Sequence, residues 1–299
     1  MSKKKSKNGK NSQKNELLRA ITISQIKPST AIFRKYKNRL LKLTKAINNS
    51  VGYWVKARIN EHLNDANLTK QMVFELSALS NRWTKKANEL GKTYASNFAK
   101  EVGGYVDLNY KEQLKNTPLK DKITTIRTQA IKQSTRAIYE SNLALIKSIP
   151  ALSIEHYKQR FLQAVSNFSG AELIEVIKDI AGDGYNEKRA KLIARDQIAK
   201  ATEAYSRSRA KSLGFDYYVW ITARDERVST SKGGHIHLDN KIFKYDSPSA
   251  IIDSYGNLGH PGDRVNCRCH TKAVYLMENQ QIVEANNGYI KFYEIYKAD

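Results

Sequence analysis

The amino-acid sequence predicts a mainly α protein with a C-terminal α+β unit, that is, a long helical hairpin body followed by a small mixed domain with short strands. Two observations carry this prediction. Apolar residues recur at three- and four-residue spacing through much of the first 213 residues, which is the period of an amphipathic helix. From residue 215 the texture becomes aromatic, β-branched and rich in turn residues, the pattern of short strands joined by loops. A chain of 299 residues corresponds to about two domains at ~150 residues each and can bury a core without help from disulfides or metal. An apolar share of 40% with 9% aromatics excludes wholesale disorder and a collagen-like chain. No apolar run approaches the ~18 residues that span a bilayer, so no membrane partner is expected. The basic N-terminus also lacks the apolar stretch of a secretory signal.

The elements follow in order. Residues 1–15 read as a disordered basic tail, and residues 16–149 as a helical N-terminal domain. In the first helix, 30–63, Phe33, Tyr36, Leu40, Leu43, Ile47, Val51, Trp54, Ile59 and Leu63 form one stripe. Asn64 to Asn67 break it, and Asn67 is a candidate cap for the next helix. That helix runs from Leu68 to Val102 on the stripe Met72, Leu76, Leu79, Trp83, Ala87, Leu90, Tyr94, Phe98 and Val102, with Gly103-Gly104 as its expected stop. Pro118 opens a third helix over 119–149, which Pro150 is expected to close. Shorter helices are predicted over 153–167 and 170–181, then a loop at Gly182-Asp183-Gly184. A stronger helix is predicted over 187–213 with Gly214 as its C-terminal stop. Strands are predicted over 215–222, 241–243, 268–275 and 288–296, with loops over 223–234 and 246–262. Residues 150–280 form the second domain, and 281–299 a C-terminal strand or tail.

Charge is unevenly placed. The net charge is +22. Residues 212–299 hold 10 basic and 11 acidic side chains, so 41 of the 51 basic residues fall on residues 1–211. The extreme is Lys3, Lys4, Lys5, Lys7, Lys10 and Lys14, with no acid before Glu16. A polyanion is the natural partner of such an arm. If all six lysines met phosphates, the log–log salt slope of DNA affinity would gain about −5. No zinc-finger spacing or basic zipper suggests sequence-specific readout, so the DNA contact expected is non-specific.

Four of the six histidines and both cysteines lie between residues 235 and 270: His235, His237, His260, Cys267, Cys269 and His270. The cysteines are one residue apart, a poor spacing for a mutual disulfide. In extended chain, residues i and i+2 point to the same side, so two sulfurs are presented together, and two imidazoles likewise at His235 and His237. Two thiolates and two imidazoles suit tetrahedral zinc, and a structural zinc can stitch a loop-rich unit. The bland alternative is packed cysteines and polar loop histidines. A catalytic alternative pairs the metal with Asp225, Asp239 or Asp263 to activate water for phosphodiester hydrolysis. A closed set of four ligands leaves no open position for that chemistry, so no catalytic residue is assigned.

The order of features carries a resemblance. Ile193-Ala194-Arg195-Asp196-Gln197 is followed by Ala204, Tyr205, Arg209, Gly214 and the aromatic strand with Trp220. Then come Asp225-Glu226-Arg227-Val228, His235, Leu238-Asp239-Asn240-Lys241 and Phe243, and last Pro261-Gly262 and Asn266-Cys267-Arg268-Cys269. Over residues 150–276 this series resembles the phage Mu F-like family, the phage head morphogenesis or minor capsid proteins. The resemblance implies a structural or assembly role in the virion, at the capsid interior or portal region, with host cytoplasm as the place of assembly. Its implied partners are portal and capsid proteins and non-specific DNA. His235, Cys267 and Cys269 fall on positions where the family often has His or Cys. Arg264 stands where some members have another His, so His260, His237 and His270 compete as fourth ligand. Asn240 stands where Gly is common. Asp225 and Arg227 match an acidic–basic pair and read as an ion pair or turn cap. The alternative from another class is a metal-dependent nuclease or toxin-like enzyme delivered with phage DNA.

Overall fold

The computed structural model describes residues 20–62, 68–125, 129–168, 170–182, 185–230, 234–248, 250, 252, 255–286 and 290–297. The predicted tail over 1–15, the break at 64–67 and residues 183–184 of the predicted loop lie outside these. Among the described residues five long helices precede most of one antiparallel sheet. The helices are α1 (Thr30–His62), α2 (Leu68–Leu114), α3 (Gln129–Asn167), α4 (Gly170–Gly182) and α5 (Tyr185–Ser212). The strands are β1 (Ile21–Ile23), β2 (Tyr217–Ile221), β3 (Ile242–Lys244), β4 (His270–Tyr275), β5 (Gln280–Asn286) and β6 (Lys291–Lys297). The fold class is the predicted one, mainly α with a C-terminal α+β unit.

The chain forms two compact units, one of residues 30–99 and 137–197, the other of residues up to 29, 100–136 and 198 onward. In the first, α1 and α2 pair as the predicted antiparallel hairpin. Tyr36 stacks on Phe98 at 4.3 Å between ring centroids, while further along Arg82 of α2 lies over Trp54 of α1. Tyr36, Leu40, Leu43, Ile47 and Val51 are buried, as the stripe requires. Val55, not Trp54, continues it inward. Trp54 and Trp83 are only half-buried, so the two indoles depart from their expected core positions. Tyr36 also donates from its hydroxyl to Asn142 Oδ1 of α3 at 2.7 Å, which satisfies two polar groups in a dry interior.

Two predicted helix stops are overridden. α2 runs through Gly103-Gly104 to Leu114 because the apolar stripe continues at Val106, Tyr110 and Leu114, all fully buried. Gly103 is there for closeness: a Cβ would sit 2.5 Å from the Tyr205 ring. Pro150 lies inside α3, which fuses the predicted 119–149 and 153–167 helices. The missing N–H and ring clash cost a helix about 3 kcal/mol. Burial of Ile146, Ile149 and Ile154 on both sides of the proline offsets that cost. After Pro118 the described chain makes only a single turn, Lys122–Thr125, before α3. The Gly214 stop holds. Its φ is +86, and Gly214 N donates to Lys211 O (3.1 Å) while Phe215 N donates to Ala210 O (3.0 Å), the paired bonds of a Schellman C-cap.

The second unit carries the sheet in the order β1-β4-β2-β3-β6-β5. β2 pairs with β4 through Tyr217↔Val274 to Ile221↔His270. β5 and β6 form a hairpin, Gln280↔Lys297 to Asn286↔Lys291. The sequence reading missed β1 and β5. Val219, Ile242, Val274 and Ile295 bury one face, with Tyr217 and Ile221 packed against it. Alternation then sends Tyr218 and Trp220 to the other face, where the ligand-type side chains gather.

Candidate metal centre

β2 supplies the floor of the site. Trp220 is fully buried and meets the His235 ring edge-on at 5.3 Å between centroids. His235 opens a single 3-10 turn, His235–Leu238. Cys267 and Cys269 stand just before β4, where Cys267 N closes a turn on Arg264 O at 3.2 Å. The structure brings His235, Cys267 and Cys269 together, with their ligand atoms all within 4.8 Å of one another and all three residues buried. His235 Nδ1 lies 3.6 Å from Cys267 Sγ and 3.4 Å from Cys269 Sγ.

The surroundings orient these donors. His235 Nε2 lies 3.1 Å from the Ile252 carbonyl. A carbonyl accepts only, so Nε2 carries a proton and donates to it, which leaves Nδ1 as the ring atom that faces the sulfurs. Gly262 N donates to Cys267 Sγ at 3.4 Å. Hydrogen bonding from Cys269 draws the Cys267 thiol down to about 4 against the opposing effect of burial, and His235 and the Gly262 N–H act in the same sense as Cys269. Cys269 is pushed up by that same neighbour and by burial. Burial by itself lowers the His235 pKa, but the bond to and charge of Cys267 leave it raised. The Trp220 indole N–H has no well-formed hydrogen bond of its own and favours the Cys269 thiolate. Two sulfurs and one oriented imidazole fit a borderline-soft divalent ion such as zinc.

The other three candidate histidines lie outside this cluster. His260 Nδ1 is 2.9 Å from the Tyr218 hydroxyl. His270 Nδ1 is 2.8 Å from Glu203 Oε1, and the same carboxylate accepts from Thr271 N at 3.1 Å and Thr271 Oγ1 at 3.0 Å. His237 is exposed on the 3-10 turn. The six lysines Lys3, Lys4, Lys5, Lys7, Lys10 and Lys14 lie outside the described residues.

The three acids considered for water activation are held by structural bonds. Asp225 takes a bidentate bond from Arg268, with Nη2 to Oδ1 at 2.7 Å and Nη1 on Oδ2. It also accepts from Arg227 N at 3.1 Å and Arg227 Nη2 at 3.2 Å. The Arg268 guanidinium holds the Asp225 carboxyl well below the usual carboxylate range. Asp225 is thus both the ion pair and the turn cap that its position suggested, with Arg268 as a partner the sequence reading missed. Asp239 accepts from Thr222 N at 2.8 Å and Arg224 Nε at 3.1 Å. Beside it Asn240 adopts φ +60, so the Asn keeps the left-handed turn that Gly would make. Asp263 accepts from His260 N at 2.8 Å and Arg207 Nη1 at 3.3 Å. Arg268 sits in plain view between the cysteines, whereas Glu203 is one acid within a helix and has no local signal that marks it.

A unit of short strands is thus tied by charge pairs around a buried cysteine–histidine cluster. Residues 155–272 match the family model described as phage Mu protein F like protein, so over these residues the chain is similar to that family. An uncharacterized protein of Haemophilus influenzae (strain ATCC 51907 / DSM 11121 / KW20 / Rd) is 36% identical over 155 residues, 52% of this chain and 32% of that protein. The matched stretch therefore spans about a third of that relative's length. No solved structure matches the chain. Among the described residues, no helix is long and apolar enough to cross a membrane.

Proposed function

We propose that this chain is a minor head protein of a tailed phage or prophage, with a structural or assembly role at the portal or capsid interior. The observation that carries the reading is the phage Mu F-like match over the residues that build the cysteine–histidine cluster. In this reading residues 150–280 are the head-morphogenesis unit, and the N-terminal lysine arm makes non-specific contact with packaged DNA. His235, Cys267 and Cys269 hold a zinc ion, with His260 as the fourth ligand after leaving the Tyr218 hydroxyl. Bound zinc supplies a crosslink between the 3-10 turn and the segment entering β4. The role is non-catalytic, which accords with the burial of all three donors and the structural bonds on Asp225, Asp239 and Asp263.

Deletion of the gene from the phage or prophage that encodes it is the test. Electron microscopy of lysates is expected to show a loss of normal filled heads, restored by the wild-type gene but not by the Cys267→Ser/Cys269→Ser variant. Normal heads in normal number from the deletion would contradict an assembly role. Plasmid nicking by the purified chain, lost in His235→Ala, would contradict the non-catalytic reading.

A further inference from the structure

The helical hairpin carries a feature that neither the family match nor the metal cluster uses. Trp54 on α1 and Trp83 on α2 face an open groove of about 440 Å³, within the ~300–1,000 Å³ of ligand clefts. Tyr53 stands at the groove and is 75% exposed. The groove's charged side chains, among the described residues, are both cationic: Arg82 and Lys86. The Arg82 guanidinium lies 5.8 Å from the Trp54 ring centroid, and Lys86 Nζ lies 5.1 Å from that of Trp83. Most described residues of the two stripes are buried, and two indoles there would ordinarily pack inward. Here the smaller neighbours Val55 and Ala87 are buried, while the large rings border solvent.

We propose that this groove binds single-stranded nucleic acid, with unpaired bases stacking on Trp54 and Trp83 and phosphates taken by Arg82 and Lys86. Aromatic platforms beside cations are the usual chemistry of such sites, because every base offers a π face and every linkage a charge. A duplex keeps its base faces covered by neighbouring pairs, so the ring platforms select unpaired bases. An incoming base takes the place of the resident cation on the ring and leaves that cation to its phosphate. The proposal rests on the reading that the chain meets nucleic acid, but it uses different residues from the N-terminal arm.

The test titrates the full chain with a twelve-residue oligo-dT and reads tryptophan fluorescence and binding together. Two of the three tryptophans are in the groove, and the third, Trp220, is fully buried in the other unit. Quenching on binding is expected. Trp54→Ala and Trp83→Ala are expected to weaken binding about tenfold each, and the Phe variants much less. Arg82→Gln and Lys86→Gln, at exposed positions, are each expected to lower the salt slope by about 0.7. They keep the test decisive should an alanine variant fail to fold by circular dichroism. An abasic oligomer binding as tightly as oligo-dT would overturn the stacking site. So would oligo-dT binding whose affinity and salt slope are unchanged in both charge variants.

A chain with Lys3, Lys4, Lys5, Lys7, Lys10 and Lys14 all changed to Gln separates the two readings. Retained quenching and retained tryptophan dependence support the groove. Loss of all oligo-dT binding in that chain, with groove variants behaving as wild type, overturns the groove and leaves the arm. No binding by the unaltered chain overturns both. Tryptophan-dependent binding of polyglutamate in place of oligo-dT would overturn the proposal in favour of an acidic protein partner.

Discussion

Arg268 stands between Cys267 and Cys269, and its guanidinium holds Asp225 in a bidentate bond. Their joint effect is to pin the Cys-Arg-Cys segment to the turn at 225–228. Asp225 has a lowered pKa in the folded chain, so the unfolded chain binds its proton more readily. Its contribution is therefore full above the unfolded carboxylate value of about 3.9 and fades as pH falls below it. Urea midpoints measured from pH 6 down to pH 3 are expected to fall more steeply for wild type than for Asp225→Asn. Parallel curves would remove the pair from the account. The cysteines make a second prediction at this scale. Cys267→Ser/Cys269→Ser is expected to abolish bound zinc and to lower the thermal midpoint of the unit selectively. Unchanged unfolding, with no metal in the purified wild type, would contradict a zinc crosslink. The grouping of both cysteines with His235 was legible because soft donors concentrate nowhere else in the chain. The second layer was not legible. Glu203, the Ile252 carbonyl and Tyr218 reach the histidines through long-range contacts that carry no local pattern.

Among the elements, α2 makes the sharpest case. Gly103 and Gly104 are neighbours in one helix, yet they should respond to alanine in opposite directions. A Cβ at Gly103 meets the Tyr205 ring at 2.5 Å, and that ring is held by a hydrogen bond to Thr135. Gly103→Ala is expected to destabilise by ~1–3 kcal/mol through overpacking. A Cβ at Gly104 meets nothing within 4 Å, so Gly104→Ala is expected to stabilise by up to ~1 kcal/mol through helix propensity. Chemical denaturation of the two variants checks the signs, and equal signs would contradict the helix as described. The same glycines show why a sequence stop signal fails. Paired glycines and an internal proline are read as breaks on propensity, but the stripe Val102, Val106, Tyr110 and Leu114 carries α2 onward, and burial around Pro150 carries α3. The missed strands have a similar cause. β1 is three residues beside a lysine-rich segment, and β5 is an edge strand with largely polar side chains, so neither shows a long β-branched run. Tertiary pairing with β4 and β6 makes them strands.

For the molecule as a whole, the phage Mu F-like match covers residues 155–272, while the positive charge is concentrated ahead of residue 212. The proposed function makes of this a division of labour: the cysteine–histidine module serves assembly, and the basic helical and N-terminal segments meet polyanions. The resemblance was readable because its motifs recur in order, from the helix around Asp196 to the Cys-Arg-Cys segment. The groove of Trp54 and Trp83 was not readable, because half-buried and fully buried tryptophans share the same helical spacing. The most direct measurement is mass spectrometry of purified particles from the encoding phage or induced prophage, with copy number scaled to the portal and major capsid proteins. A few copies per particle, retained through nuclease and salt washes, are predicted. Absence from particles, with the protein abundant in the lysate, would contradict a minor head protein.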